Sequence, residues 1–168
     1  MAGFTEAGEW QLYSGYGFQM PPTDMLPKLT AQTPAKGQLL YYDKTEGTAG
    51  KWKITTGDHA GQFAICKVPA PLVADDPVGA LRVEAWTRQN YVYTLTAAEA
   101  LDPWGWVKSA NLGKIAKWVS GTDTEQEKVG KFVQRPNVTP PQNSGKDTLS
   151  ANGVDEVVGV LFGPGGGY

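Results

Sequence analysis

Residues 51–55 read Lys-Trp-Lys-Ile-Thr, a strict polar–apolar alternation, and short runs of β-branched and aromatic residues recur from Gly37 to Gln134 with glycines between them. A period of two sends successive side chains to opposite faces of an extended chain, so the alternating run reads as a strand with one face to bury. Gln38 to Asp43, Gln62 to Val68, Leu81 to Thr87 and Tyr91 to Thr96 are further candidates, followed by Trp104 to Ser109, Leu112 to Ser120 and Val129 to Gln134. Glu156 to Phe162 adds one more. The Arg88-Gln89-Asn90 spacer predicts a hairpin between its two neighbours. Ala97 to Leu101 predicts one helical turn, stopped by Asp102-Pro103. About nine short strands predict an all-β chain, a small barrel or a sandwich.

Composition supports that class. Charged residues are 19% of the 168, below the roughly 25% of an ordinary soluble domain, and hydrophobic residues are 40%. The first figure disfavours a coiled coil and the second a disordered chain. The length suits one domain with its own core. Net charge is −2 with no cluster of Lys or Arg, so no nucleic-acid partner is expected. No window approaches 18 apolar residues, and no membrane partner is expected. Met1 to Glu6 lacks the basic and apolar segments of a signal peptide, which predicts synthesis in the cytoplasm. Cys66 is the single cysteine and sits in an apolar run, where it reads as a small core residue.

Three regions differ in texture. Residues 1–36 hold Trp10, Tyr13, Tyr16 and Phe18 with Pro21, Pro22, Pro27 and Pro34, and no periodicity. Prolines at that density exclude helix and central strand, while the aromatics need burial. An extended N-terminal arm lying on a surface fits both, whether that surface is the chain's own body or a neighbouring subunit. Residues 37–162 form the β domain, with a Pro-, Asn- and Gly-rich loop at about 135–153, and 163–168 form a flexible tail. A glycine echo runs through the middle: Gly37, Gly50 and Gly61 against Gly105, Gly113 and Gly130, which suggests two equivalent three-strand units.

Catalytic and metal chemistry find little footing. His59, the single histidine, has Asp58 beside it but no nucleophile motif, and reads as part of a β-turn. No Asp-x-Asp-x-Asp-Gly loop occurs, Asp75-Asp76 precedes Pro77 as turn chemistry, and Asp123, Glu125 and Glu127 read as a solvated acidic loop. No Gly-Lys pair completes a phosphate loop. No enzyme, metal or cofactor is expected. The tryptophans are what remains. Trp86 shares its strand face with Arg82 and Glu84, and Trp104 and Trp106 share theirs with Lys108. Large aromatics on polar faces serve as interface anchors or sugar-stacking platforms, and equally as cover beneath a loop or arm. Trp10, Tyr13, Tyr16, Phe18, Trp86, Trp104 and Trp106 are therefore the candidate interface residues.

From Tyr91-Val92-Tyr93-Thr94-Leu95 onward, the Ala97-Ala98 turn, Trp106-Val107-Lys108, Leu112-Gly113-Lys114-Ile115, Val129-Gly130-Lys131-Phe132-Val133 and Val157-Val158-Gly159-Val160-Leu161-Phe162 follow an order that resembles the capsid decoration (cement) proteins of tailed bacteriophages. The resemblance covers roughly residues 37–162. It implies a small β-barrel or tulip-like domain, a homotrimer, a major capsid protein as partner, and a place on the outer surface of the virion. Arms at the chain ends would reach across capsomer boundaries. It carries no individual functional residue over. Two other readings stand beside it: a carbohydrate-binding β-module using Trp86 or the Trp104–Trp106 pair, and another virion part such as a head fibre or tail component.

Overall fold

The computed structural model describes residues 6–12, 20–68, 81–102, 104–134 and 154–163. They are all-β: β1 (Trp10–Leu12), β2 (Thr23–Pro27), β3 (Leu39–Asp43), β4 (Lys51–Ile54), β5 (Phe63–Val68), β6 (Arg82–Trp86), β7 (Tyr91–Thr96), β8 (Trp106–Ser109), β9 (Ile115–Lys117), β10 (Lys128–Gln134) and β11 (Val157–Phe162). A single 3₁₀ turn, Glu125–Glu127, precedes β10. The strands form two antiparallel sheets, one in the order β1-β7-β11-β10-β8-β9 and the other β2-β6-β5-β3-β4.

These two orders are one order used twice. With β1 set aside, each sheet runs first, fifth, fourth, second, third in the sequence of its own strands. The match extends to register. A parallel bridge joins Lys28 to Trp52 in one sheet and Ala97 to Ile115 in the other, tying the first strand's end to the third strand. Beside each bridge the next residue donates its N–H back: Leu29 to the Trp52 carbonyl at 3.0 Å, Ala98 to the Ile115 carbonyl at 2.7 Å. Two residues further, a side chain accepts in both sheets: Ile54 N–H donates to Gln32 Oε1 and Lys117 N–H to Glu99 Oε1, each at 2.8 Å. The irregularity at Cys66/Val68 opposite Ala85/Glu84 recurs at Phe132/Gln134 opposite Val160/Gly159.

Each sheet has a core fed by all five of its equivalent strands. Leu26, Leu40, Trp52, Ala64, Cys66, Val83 and Ala85 make one. Leu95, Val107, Ile115, Phe132, Val158 and Val160 make the other. The cores meet asymmetrically: Leu39, Phe63, Ile65 and Trp86, on the opposite face of the five-stranded sheet, pack into the cluster of the six-stranded one. That face is thus as apolar as the first, which is why β5 is buried along Phe63–Cys66 without alternation.

The expected strands are present from Leu39 onward, with several differences. The Arg88–Asn90 spacer is not a hairpin, because β6 and β7 belong to different sheets. It carries the chain across, with Asn90 in the left-handed region at φ 68°. The helical turn expected at Ala97–Leu101 is absent, since Ala97 is occupied in the bridge to Ile115. The run from Leu112 to Ser120 shortens to β9, because Leu112 and Gly113 turn at φ 60° and 74°. The boundary at Gly37 does not separate an arm from a body: β1 and β2 precede it and form an edge strand in each sheet. Edge positions admit proline because half of their N–H groups face outward. Tyr13, Tyr16, Phe18, the 135–153 loop and residues 164–168 lie outside the described residues. Of the expected tail, Gly163 donates its N–H to the Val129 carbonyl at 2.8 Å.

The glycine echo is met in topology and at one position in register. Gly50 and Gly113 each stand two residues before the bridging residue of the third strand, at φ 71° and 74°. A Cβ at Gly113 would lie 2.7 Å from Gln38 Cβ. The other glycine pairs are offset, Gly130 falling where the first sheet has Ala64.

Candidate interaction surface

Four of the seven candidate residues are described, and they fall into three environments. Trp86 is 3% exposed and lies 5.3 Å from the Tyr93 ring, inside the main core. It does share a face with Arg82 and Glu84, but that face passes from solvent to core along the strand as the second sheet covers its end. Trp86 is therefore no surface anchor. Trp10 is half-buried, edge-on to Tyr91 at 6.0 Å and 75°. Trp104 and Trp106 remain at the surface.

Trp104 does not share a strand face with Trp106, because β8 begins only at Trp106. It sits in the turn before it, in the left-handed region at φ 59°, with its side 42% exposed. Its N–H donates to the Phe132 carbonyl at 3.0 Å, and Phe132 N–H donates to the Gly105 carbonyl at 2.9 Å. A bulky residue at positive φ costs about 1–3 kcal/mol, and here β10 holds it there. In this turn the large aromatic ring faces solvent.

Trp106 is half-buried and bears two cations. Lys128 Nζ lies 4.5 Å and Lys131 Nζ 4.6 Å from its ring centroid. Lys128 Nζ also lies 4.1 Å from the Trp118 ring and 2.6 Å from Glu125 Oε2. Its residue is only 8% exposed, so the ammonium is held by two ring faces and one carboxylate. Trp118 Nε1–H donates to the Thr124 carbonyl at 2.8 Å, which fixes the second ring. Sequence reasoning did not single out Trp118 or Lys128; Trp118 lies just past the end of β9 and Lys128 opens β10. The result is a part-buried cluster of Trp106, Trp118, Lys128 and Lys131, with Trp104 exposed in the turn two residues before Trp106.

His59 lies in the loop between β4 and β5, where it does more than turn the chain. Its ring stacks on Tyr41 at 3.6 Å and 10°, at the side of a cleft of about 630 Å³ that includes Asp43, Lys44 and Gln62. Its N–H donates to Ser109 Oγ at 2.8 Å, and Ser109 Oγ–H donates to the Gly57 carbonyl at 2.8 Å. Lys108 pairs with Asp58 at 2.8 Å and with Asp123 at 2.9 Å, which holds both loops onto β8. Thr56 N–H donates to His59 Nε2 at 3.2 Å, an arrangement that needs the neutral ring. Burial lowers the His59 pKa from 6.5, with Asp43 and Asp58 opposing in part. A histidine with a depressed folded pKa binds fewer protons folded than unfolded, so stability falls as pH drops below about 6.5. Thermal unfolding at about pH 7.5 and 5.5 should show that loss, and His59→Phe should diminish it. Equal pH dependence in both proteins would count against it.

Burial pushes the Cys66 thiol up to about 12, so it is a core group and not a reactive one. No protein family, curated protein or solved structure matches this chain.

Proposed function

We propose that this chain is a structural virion protein that binds the outer surface of an icosahedral capsid and stabilises it by bridging capsomers, as a trimer. The observation that carries the reading is Trp104, an exposed aromatic at positive φ two residues before Trp106, whose own ring carries Lys131. Exposed tryptophans are among the residues on which protein interfaces concentrate binding energy. In this reading the two sheets together make up the small barrel or tulip-like domain that the sequence resemblance implies. The motifs that carry the resemblance, from Tyr91 to Phe162, fall on or beside the five strands β7 to β11, within the stretch of roughly 37–162 that it covers. Its partners are the major capsid protein and other copies of itself, on the virion surface after synthesis in the host cytoplasm. It needs no catalytic group, no nucleic acid and no membrane.

The carbohydrate reading is the weaker alternative. A sugar platform of paired rings needs free ring faces; Trp86 is buried and Trp106 carries two lysines, which leaves Trp104 as the one ring of the three exposed for it.

Co-sedimentation with undecorated heads tests the reading. Wild type should bind saturably, and Trp104→Ala with Lys131→Glu should lower affinity at least about tenfold at unchanged melting temperature. Binding unaffected by that double change would remove both residues from the interface. Saturable quenching of tryptophan fluorescence by a glycan, with no head binding, would favour the alternative.

A further inference from the structure

We propose that the outward edge of β2 is a strand-pairing site for a second copy of this chain, whose β1 supplies the matching edge. The proposal rests on the reading that the chain assembles with itself, and it names the backbone that does so.

The repeated topology locates the site. In the six-stranded sheet, Ala97 N–H donates to the Glu156 carbonyl of the strand pair with β11, so positions 92, 94 and 96 of β7 turn their backbone groups the other way. Those outward groups are taken by the N-terminal strand: Thr94 N–H donates to the Glu9 carbonyl at 3.0 Å, Gly8 N–H to the Thr94 carbonyl at 2.8 Å, and Gln11 lies opposite Val92. In the five-stranded sheet, Lys28 N–H donates to the Leu81 carbonyl at 3.0 Å, so Thr23, Met25 and Pro27 face outward from β2. Register places Thr23 and Met25 where Val92 and Thr94 stand in the other sheet. The same edge that β1 fills on β7 has no strand beside it on β2 among the described residues.

The second copy is favoured by what both edges offer. β1 is itself an outer strand, with Gln11 turned to β7 and the backbone of Trp10 and Leu12 turned away. Two outward positions spaced by two residues therefore meet two outward positions with the same spacing. Pro27 supplies no N–H at the third outward position, which limits pairing to that short length. The side chains agree. Met25, Glu84 and Val68 form one row across the sheet, and Met25 and Val68 are 52% and 44% exposed. Leu81, one position before β6, is 49% exposed. Because β1 and β2 are different surfaces, the contact is head-to-tail, and such contacts close into rings when the rotation allows.

Light scattering on the full chain, with Met25→Pro as the variant, tests this. The substitution removes one outward N–H and leaves the β2–β6 ladder intact. Wild type should be trimeric and Met25→Pro should lose self-association at least about tenfold while keeping its β-sheet circular dichroism. Met25→Lys, which blocks an edge by charge and keeps the N–H, should act in the same direction, and it decides the matter if the proline variant does not fold. A monomeric wild type, or folded variants that both retain the wild-type mass, would overturn the proposal. Edge-dependent trimers that do not bind heads would uphold it while removing the capsid reading. Head-binding trimers indifferent to both changes would do the reverse.

Discussion

Gly130→Ala should be the most damaging single-methyl change among the described strands. Gly130 lies in β10 opposite Phe162, without a positive φ, so conformational freedom is not the reason it must be glycine. Space is. An added Cβ would press into the Leu161 carbonyl oxygen and stand 2.9 Å from Val160 Cγ1 and 3.0 Å from the Leu161 carbonyl carbon. Backbone in a ladder cannot step aside as a side chain can, so β10 and β11 must separate or shift register. A cost above about 3 kcal/mol is expected, seen as a melting temperature lowered by about 6 °C or more, or as loss of soluble protein. Gly47→Ala is the control. Its Cβ would meet nothing within 4 Å, and φ 67° alone should cost about 1 kcal/mol. Similar melting temperatures for the two variants would mean that β10 and β11 are not paired in this register.

Phe132→Ala comes next. Phe132 is fully buried in the cluster that joins the two sheets, at the register position that Cys66 holds in the first unit. The units distribute volume differently at such positions: Trp52 stands where the second has Ile115, and Ala85 where it has Val160. Phe132 therefore fills space that no indole from its own third strand could refill. Truncation should cost about 3–5 kcal/mol and lower the melting temperature by about 6–20 °C. Cys66→Ala removes one small group and should cost clearly less. Calorimetry separates the two, and a smaller loss at Phe132 than at Cys66 would contradict the assignment of the shared core.

The strands were legible because their signals are local. Lys51 to Thr55 alternates, and Tyr91 to Thr96 is rich in β-branched and aromatic residues, as any half-buried ladder needs. The pairing was not legible, because it is set by contacts far apart in sequence. Arg88 to Asn90 has the length of a hairpin loop, and nothing within it says that Trp86 must turn into a second sheet. Ala97 and Ala98 have helical propensity, yet the bridge to Ile115 outweighs it. For the candidate surface, parity placed Trp86 on the correct strand face and could not say where along that face solvent ends. Trp118 and Lys128 come together across β8, β9 and β10, a juxtaposition that no sequence spacing displays. The glycine echo was the one long-range signal that survived, through Gly50 and Gly113, where a turn before the third strand demands positive φ twice.

If this chain holds a capsid shell together, as proposed, it should protect bare heads against heat. Undecorated heads of a tailed bacteriophage should be heated with and without the purified chain. Heads carrying saturating wild-type protein should stay intact at temperatures that disrupt bare heads, and the Trp104→Ala/Lys131→Glu variant should give far less protection. Identical disruption temperatures with and without saturating wild-type protein would contradict the claim.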